Sequence, residues 1–319
     1  MDPVAEVAAS AQRLSVSRLR GAAWAVLALA IFAGWFVVTR LSVTRELRIW
    51  DILALRFGVG ALVLLPVLVL QRRSLSARRW REGLLLSFLW GVPFVLCVGL
   101  GLQLTSAEQA SSVTPGLMPV FTGLIAWAFL GQRPGATRLA GYVVIAAGVI
   151  GMLGDRWLAG LRPNGGGLLL LLAAAALWAM YTLRIRRADL SAPVAAAFVC
   201  LWSAVLYLPF YLGFDVSRLG FAPLREVMWQ TLYQGVLMSG VAIFAYNRAV
   251  ALLGPTTAAA VFGLVPVVAT AVAIPVLGEV PTPIDGLAIC AIAIGVALAA
   301  GLAARSSTAP ARLPLAPPA

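Results

Sequence analysis

Leu130-Gly131-Gln132-Arg133-Pro134 returns about 147 residues later as Leu277-Gly278-Glu279-Val280-Pro281. The same offset lays Gly116-Leu117 on Gly263-Leu264, Pro119-Val120 on Pro266-Val267 and Gly148-Val149 on Gly295-Val296. Nearer the N-terminus an offset of about 143 brings Trp35 and Thr39 onto Trp178 and Thr182, and Leu65-Pro66 onto Leu208-Pro209. A chain rich in Ala, Leu, Gly and Val matches itself often by chance. Matches at Trp and Pro, in unbroken order, are harder to obtain that way, and the two halves read as repeats.

Working outward from these landmarks, apolar runs bounded by Arg, Pro and Gly fall at Gly21 to Thr39, Ile52 to Leu70, Gly83 to Leu104, Gln109 to Leu130 and Leu139 to Leu153. Five more fall at Gly166 to Leu183, Ala192 to Leu212, Thr231 to Leu253, Thr256 to Leu277 and Ile284 to Ala304. Only Gly254-Pro255 separates the eighth run from the ninth, a pair that suits a helix stop and restart. A bilayer core about 30 Å thick takes about 20 apolar residues per helix, so the chain length accommodates about ten spans. Composition agrees: 61% of the 319 residues are hydrophobic, 11% are charged, and the mean hydropathy is +0.95.

Five spans per repeat is an odd number, so the second copy enters the membrane from the opposite side. Charge agrees, because Arg133 and Arg138 follow Leu130-Gly131 whereas Glu279 and Asp285 follow Leu277-Gly278. The predicted fold is an all-α polytopic membrane protein, ten transmembrane helices forming two inverted five-helix repeats around a central cavity. Its expected divisions are a cytoplasmic N-terminal segment, 1–20, a first repeat, 21–154, a periplasmic connection, 155–164, a second repeat, 165–304, and a disordered cytoplasmic tail, 305–319.

All 24 basic residues are Arg, against 12 acids, for a net charge of +12. An N-terminus inside leaves Arg13, Arg18, Arg20, Arg72, Arg73, Arg78, Arg79, Arg81, Arg133, Arg138, Arg184, Arg186, Arg187, Arg248, Arg305 and Arg312 on the cytoplasmic side. Only Arg40, Arg45, Arg48, Arg156, Arg162, Arg218 and Arg225 then face outward. The positive-inside rule places both termini in the cytoplasm, in a bacterial inner membrane, and accounts for the charge without nucleic acid. Residues 1–20 lack an apolar core with a cleavage site, so the first run is expected to stay as a helix. The absence of His removes His-based catalysis, metal sites and proton relays. Cys97, Cys200 and Cys290 show no metal-ligand spacing and read as inert buried thiols; no cofactor is called for.

These features together resemble the drug/metabolite transporter superfamily, EamA type. The resemblance rests on the five-plus-five repeat, Arg56-Phe57 near the start of the second helix, Trp35 and Trp178, Pro119 and Pro266, and Leu-Gly-Gln/Leu-Gly-Glu before a Gly-rich helix. It covers about Gly21 to Gly301 and implies a secondary transporter, not an enzyme, that exports amino acids, drugs or other metabolites. YddG-like amino-acid exporters are the branch favoured, with neutral or aromatic amino acids as cargo. No GxxxxGK[ST] loop is present for nucleotide hydrolysis. An enzyme acting on lipid would need convergent nucleophiles, acids or metal ligands, and the spans offer mainly Ser, Thr, Trp and Tyr.

Inverted-repeat transporters place the substrate near the midplane, where irregular helices meet. The expected cavity wall comprises Ser111, Pro115, Met118 and Thr122 on one face of the fourth helix, with Thr256, Thr257 and Phe262 at the matching place in the ninth. Trp35, Trp90, Phe94, Trp178, Tyr181, Tyr246 and Asn247 supply the other wall. The resemblance adds substrate contact at Trp178 and Met118. Gly116, Pro119, Gly263 and Pro266 are the expected flexing points. The Pro and Ser positions also suit plain helix packing, and Trp and Tyr also serve as interfacial anchors. Arg56 can snorkel outward or pair with Asp51 or Glu46; Glu108 can complement a helix dipole or hold a proton or ammonium group. Glu279 and Asp285 are expected to be solvated.

Overall fold

The computed structural model describes residues 3–45, 47–158, 164–185, 187–253 and 261–301. They form ten helices in chain order. These are α1 (Pro3–Val43), α2 (Ile49–Ser74), α3 (Ala77–Leu104), α4 (Ala107–Leu130), α5 (Ala136–Leu158), α6 (Gly165–Ile185), α7 (Ala192–Gly213), α8 (Leu224–Leu253), α9 (Val265–Leu277) and α10 (Pro283–Ala299). Eight of them are long and apolar enough to cross a membrane, while α9 and α10 are apolar but shorter. Gly254, Pro255, Thr256 and Thr257 lie outside the described residues, as does the predicted disordered tail.

The helices pack as a pseudo-two-fold set in which helix k of one half corresponds to helix k+5 of the other. α1 lies on α8 and α9, and α6 lies on α3 and α4. α3 touches α7 as α8 touches α2, while α2 with α7, α4 with α9 and α5 with α10 are self-matching pairs. Two copies that traverse the membrane in opposite directions generate this pattern.

Local chemistry explains why the Leu-Gly landmarks recur. Gly131 and Gly278 end α4 and α9 at φ 66° and 71°, the left-handed conformation that closes a helix at little cost only for glycine. α10 opens with a capping box: Thr282 Oγ1 accepts from the Asp285 N–H at 3.0 Å, and Asp285 Oδ2 accepts from the Thr282 N–H at 3.3 Å. Asp285 is therefore structural, only 1% exposed, rather than solvated in a loop.

Besides a 3-10 turn at Arg72–Ser74 that ends α2, three places among the described helices depart from straight α geometry. The third run breaks at Gly91 instead of continuing, and a Cβ there would strike Ser203 Oγ and the Ser87 carbonyl. π-helical turns occupy Leu55–Val59 in α2 and Thr231–Val241 in α8. Since α3 and α8 are equivalent, the break in one and the π stretch in the other disturb matching levels of the two repeats. Pro266 stands in the first turn of α9 rather than inside the helix, where its missing N–H leaves no donor wanting. Pro119, its repeat partner, lies inside α4.

Glycines make the α5–α10 seam. A Cβ on Gly295 would lie 2.9 Å from the Gly141 carbonyl oxygen, and one on Gly148 would lie 2.9 Å from that of Ala288. Backbones this close pack through small residues, as membrane helix pairs do where lipid offers no hydrophobic drive. Gly295→Leu is expected to lower stability by about 2 kcal/mol or more through overpacking. Thermal unfolding in detergent checks it, with the lipid-facing Leu287→Ala as a mild control.

Candidate functional site

The break at Gly91 sets Trp90 and Phe94 on successive segments of α3 with their rings stacked, centroids 4.2 Å apart and planes 13° from parallel. Tyr181 of α6 stacks on the Trp90 ring at 5.1 Å, and Trp178, one turn earlier, leans on it at 4.8 Å. Trp35 of α1 lies parallel to Phe94 at 6.2 Å. A row Trp35, Phe94, Trp90, Tyr181 thus runs from the first helix of one repeat to the first helix of the other, with Trp178 against its side. Trp35 and Phe94 are 2% and 1% exposed, whereas Trp90, Trp178 and Tyr181 are half-buried. Stacked aromatic pairs contribute about 0.5–1.5 kcal/mol each beyond area burial, so the row is firmly held.

Trp35 is fixed on its polar edge as well. Its indole Nε1–H donates to Gln234 Oε1 at 2.9 Å, and Gln234 Nε2 donates to Thr39 Oγ1 at 3.0 Å. One turn away, Gln230 Nε2 donates to Ser42 Oγ at 2.6 Å and Glu226 Oε1 at 3.1 Å, and Ser42 Oγ donates to the same carboxylate. This ladder between α1 and α8 was missed in the sequence reading. Its signal was Gln230 and Gln234 four residues apart in an apolar run, facing Thr39 and Ser42 three apart.

Arg56 departs from both expectations for it. It neither snorkels nor pairs with Asp51; it is 5% exposed, with its guanidinium carbon 5.1 Å from the Trp35 ring centre and 5.9 Å from that of Phe57. Asp51 is occupied elsewhere, accepting from the Tyr211 hydroxyl at 2.6 Å and from the Arg218 N–H at 2.8 Å. Glu46 lies outside the described residues.

The other predicted residues fall into separate groups. Phe262 meets Phe32 at 5.2 Å and Tyr246 at 4.8 Å, both edge-on, with Asn247 half-buried beside Tyr246 in sequence. On α4, Ser111 and Pro115 are buried, and the Ser111 hydroxyl donates back to the Glu108 carbonyl at 3.1 Å. Met118 and Thr122 are half-buried, and Thr122 Oγ1 donates to the Met118 carbonyl at 2.7 Å. A Cβ on Gly116 would meet Ile292 of α10 at 2.7 Å, and Gly263 is buried just before α9. Glu108 sits in the first turn of α4, 3% exposed, where Ser106 Oγ donates to it at 3.2 Å. A groove of about 700 Å³ lies elsewhere, between α3 and α7, lined by Leu84, Phe88, Pro93, Ser203, Leu206 and Phe210 among others.

Ion pairs mark the two ends. On the α1 C-terminal side, Arg40 Nε donates to Glu279 Oε1 at 2.9 Å, while Glu279 Oε2 accepts from the Ala107 N–H at 2.8 Å. Arg40 Nη1 also donates to the Leu102 carbonyl. Glu279 is thus a partnered group and not a solvated loop residue, its side chain 21% exposed. At the opposite end Arg184 pairs with Glu82, and Arg79 with Asp189, whose carboxyl the guanidinium holds below the usual carboxylate range. Cys290 is exposed on α10 rather than buried.

The EamA-like transporter family matches the chain twice, over residues 19–154 and 165–301. A "probable terminal-alkyne amino-acid exporter" of Streptantibioticus cattleyicolor is 31% identical over 194 residues, a match spanning 59% of this chain and 61% of that protein's length. One solved crystal structure superposes with a TM-score of 0.61 at 21% identity, covering 92% of this chain and 99% of its own, which shows the fold alone.

Replacing Gln234 by Leu strands the Trp35 N–H and the Thr39 hydroxyl inside the protein. Gln234→Leu is expected to cost about 1–3 kcal/mol, read as a lower melting temperature in detergent. A melting curve that matches wild type would show the ladder contributes nothing.

Proposed function

We propose that this chain, which belongs to the EamA-like transporter family, exports small amphipathic metabolites, foremost neutral or aromatic amino acids, by alternating access between its two repeats. The observation that carries the reading is the aromatic row joining α1 to α6, which offers half-buried Trp90, Trp178 and Tyr181 faces where the repeats meet. Large rings with one polar edge suit amphipathic solutes. The name of the relative from Streptantibioticus cattleyicolor supports amino acids as cargo. Ion pairs at both ends suit a transporter whose two mouths open in turn.

Export of labelled phenylalanine, leucine and alanine from proteoliposomes tests this reading. Wild type is expected to move at least one of them, and Trp178→Ala to reduce the rate about tenfold, equivalent to ~1.4 kcal/mol of lost contact. Failure of well-folded wild type to move amino acids, drugs or nucleosides would remove the exporter reading. Unchanged transport by Trp178→Ala would remove only that contact.

Orientation is tested separately with Gly135→Cys and Val280→Cys in a cysteine-free background. In inside-out vesicles an impermeant thiol reagent is expected to label the first and spare the second, both sites being exposed. Labelling of both from one side would contradict cytoplasmic termini and inverted entry alike.

A further inference from the structure

A guanidinium at membrane depth needs a partner. Placing one inside a span is costly, and the cost is normally offset by a carboxylate, backbone carbonyls or a water-filled cavity. In Arg56 two of the three guanidinium nitrogens, Nε and Nη1, are buried and donate no hydrogen bond. Among the described residues no carboxylate pairs with it. What it does have is the faces of Trp35 and Phe57, which leave those N–H groups without an acceptor.

Its surroundings are built rather than accidental. Arg56 stands in the π-helical turn Leu55–Val59, packed against the π stretch Thr231–Val241. The Ser239 hydroxyl lies 3.4 Å from the Arg56 carbonyl, and a Cβ on neighbouring Gly60 would meet Ser239 Oγ at 2.7 Å and Cys200 Sγ at 3.0 Å. π turns are rare and concentrate at functional sites. Two of them meet at this one cation, whose neighbours come from α1 and α2 of one repeat and α7 and α8 of the other.

We propose that Arg56 is the anion-binding group of the transport path, taking the carboxylate of a small solute whose apolar body lies along the Trp35, Phe94, Trp90 row. A planar guanidinium suits a carboxylate, and the row begins at the ring on which it rests. The inference rests on the exporter reading only for its class of cargo.

Purified protein in detergent is titrated with phenylalanine, 3-phenylpropionate, phenylalaninamide and phenethylamine, following tryptophan fluorescence and thermal stabilisation. The two carboxylates are expected to bind at least about tenfold more tightly than the amide and the amine, the loss expected for a charged hydrogen bond. Arg56→Lys is expected to weaken the carboxylates by about tenfold and leave the amine unchanged. Equal binding of acid and amide by wild type, binding of none of the four, or wild-type affinity for the acids in folded Arg56→Gln would each overturn the proposal. If Arg56→Gln does not fold, the wild-type series and Arg56→Lys decide it. Arg56-dependent acid binding in a protein that exports no amino acid would remove the exporter reading and leave this inference standing. Amino-acid export with unaltered rates in Arg56→Lys would do the reverse.

Discussion

Inside a bilayer core no water reaches a stray N–H or C=O, so a spanning chain must satisfy its backbone from within, and every departure from the α-helix has to be closed by other protein atoms. The departures here obey that constraint. At Gly91 the helix changes direction, yet the Gly91 N–H still donates to the Ser87 carbonyl at 2.7 Å and the Val95 N–H to the Gly91 carbonyl at 3.1 Å. The π turns of α2 and α8 lie against each other instead of facing lipid. The Gly91 break and the two π stretches thus lie in helices that meet between the repeats, and it is there that Trp35, Arg56, Trp90 and Gln234 converge. The fold's tolerance for disorder in its geometry and the position of its polar and aromatic groups are one constraint seen twice.

The pseudo-two-fold relation distributes the remaining tasks. Where the operation maps a pair of helices onto itself, the contact is between like surfaces, and small residues serve both sides: Gly148 of α5 and Gly295 of α10 are repeat partners and both sit in the same seam. Where it maps one pair onto another, sequence has diverged. Trp35 and Trp178 occupy equivalent positions, but Trp35 is sealed by Gln234 and Arg56 while Trp178 stays half-buried. The row is thus asymmetric: one end is anchored in a polar ladder, and the other is half-buried.

The repeat, the spans and the membership of the aromatic row were legible because each leaves a local mark: Leu-Gly caps, apolar runs, and Trp or Pro at fixed offsets. Apart from the Gln230 and Gln234 spacing, partners across helices left none. Arg56 offered two acids in its own helix and loop, and the nearer, Asp51, is taken by Tyr211 and Arg218 from α7 and the segment after it. Glu279 follows a Leu-Gly cap, as a solvated loop residue would, but the packing of α9 beside α1 and α4 delivers it to Arg40 and the Ala107 N–H. Ser111 looked like a cavity hydroxyl by helical spacing, whereas its own turn claims it. For Arg56 and Glu279 the choice was made by a helix distant in sequence, which no local pattern encodes.

The placement of these bonds also says which helices move together if the repeats rock. α1 is tied to α8 by the Trp35, Gln230 and Gln234 bonds, and by the Tyr233 hydroxyl donating to the Ile31 carbonyl at 2.9 Å. α6 is tied to α3 by Arg184 with Glu82 and by the rings of Trp90, Trp178 and Tyr181. Buried hydrogen bonds are costly to leave open, so each group behaves as a body. Between them run the Trp35 to Phe94 stack and, at the end where α1 finishes, the bonds from Arg40 to the Leu102 carbonyl and from Gln103 to the Val43 carbonyl. A stack slides at small cost, while an ion pair that is 20% and 21% exposed can exchange its partners for water. The Trp35 to Phe94 stack thus joins the two groups, with Arg56 resting on its Trp35 end and the half-buried rings of Trp90, Trp178 and Tyr181 beyond its Phe94 end.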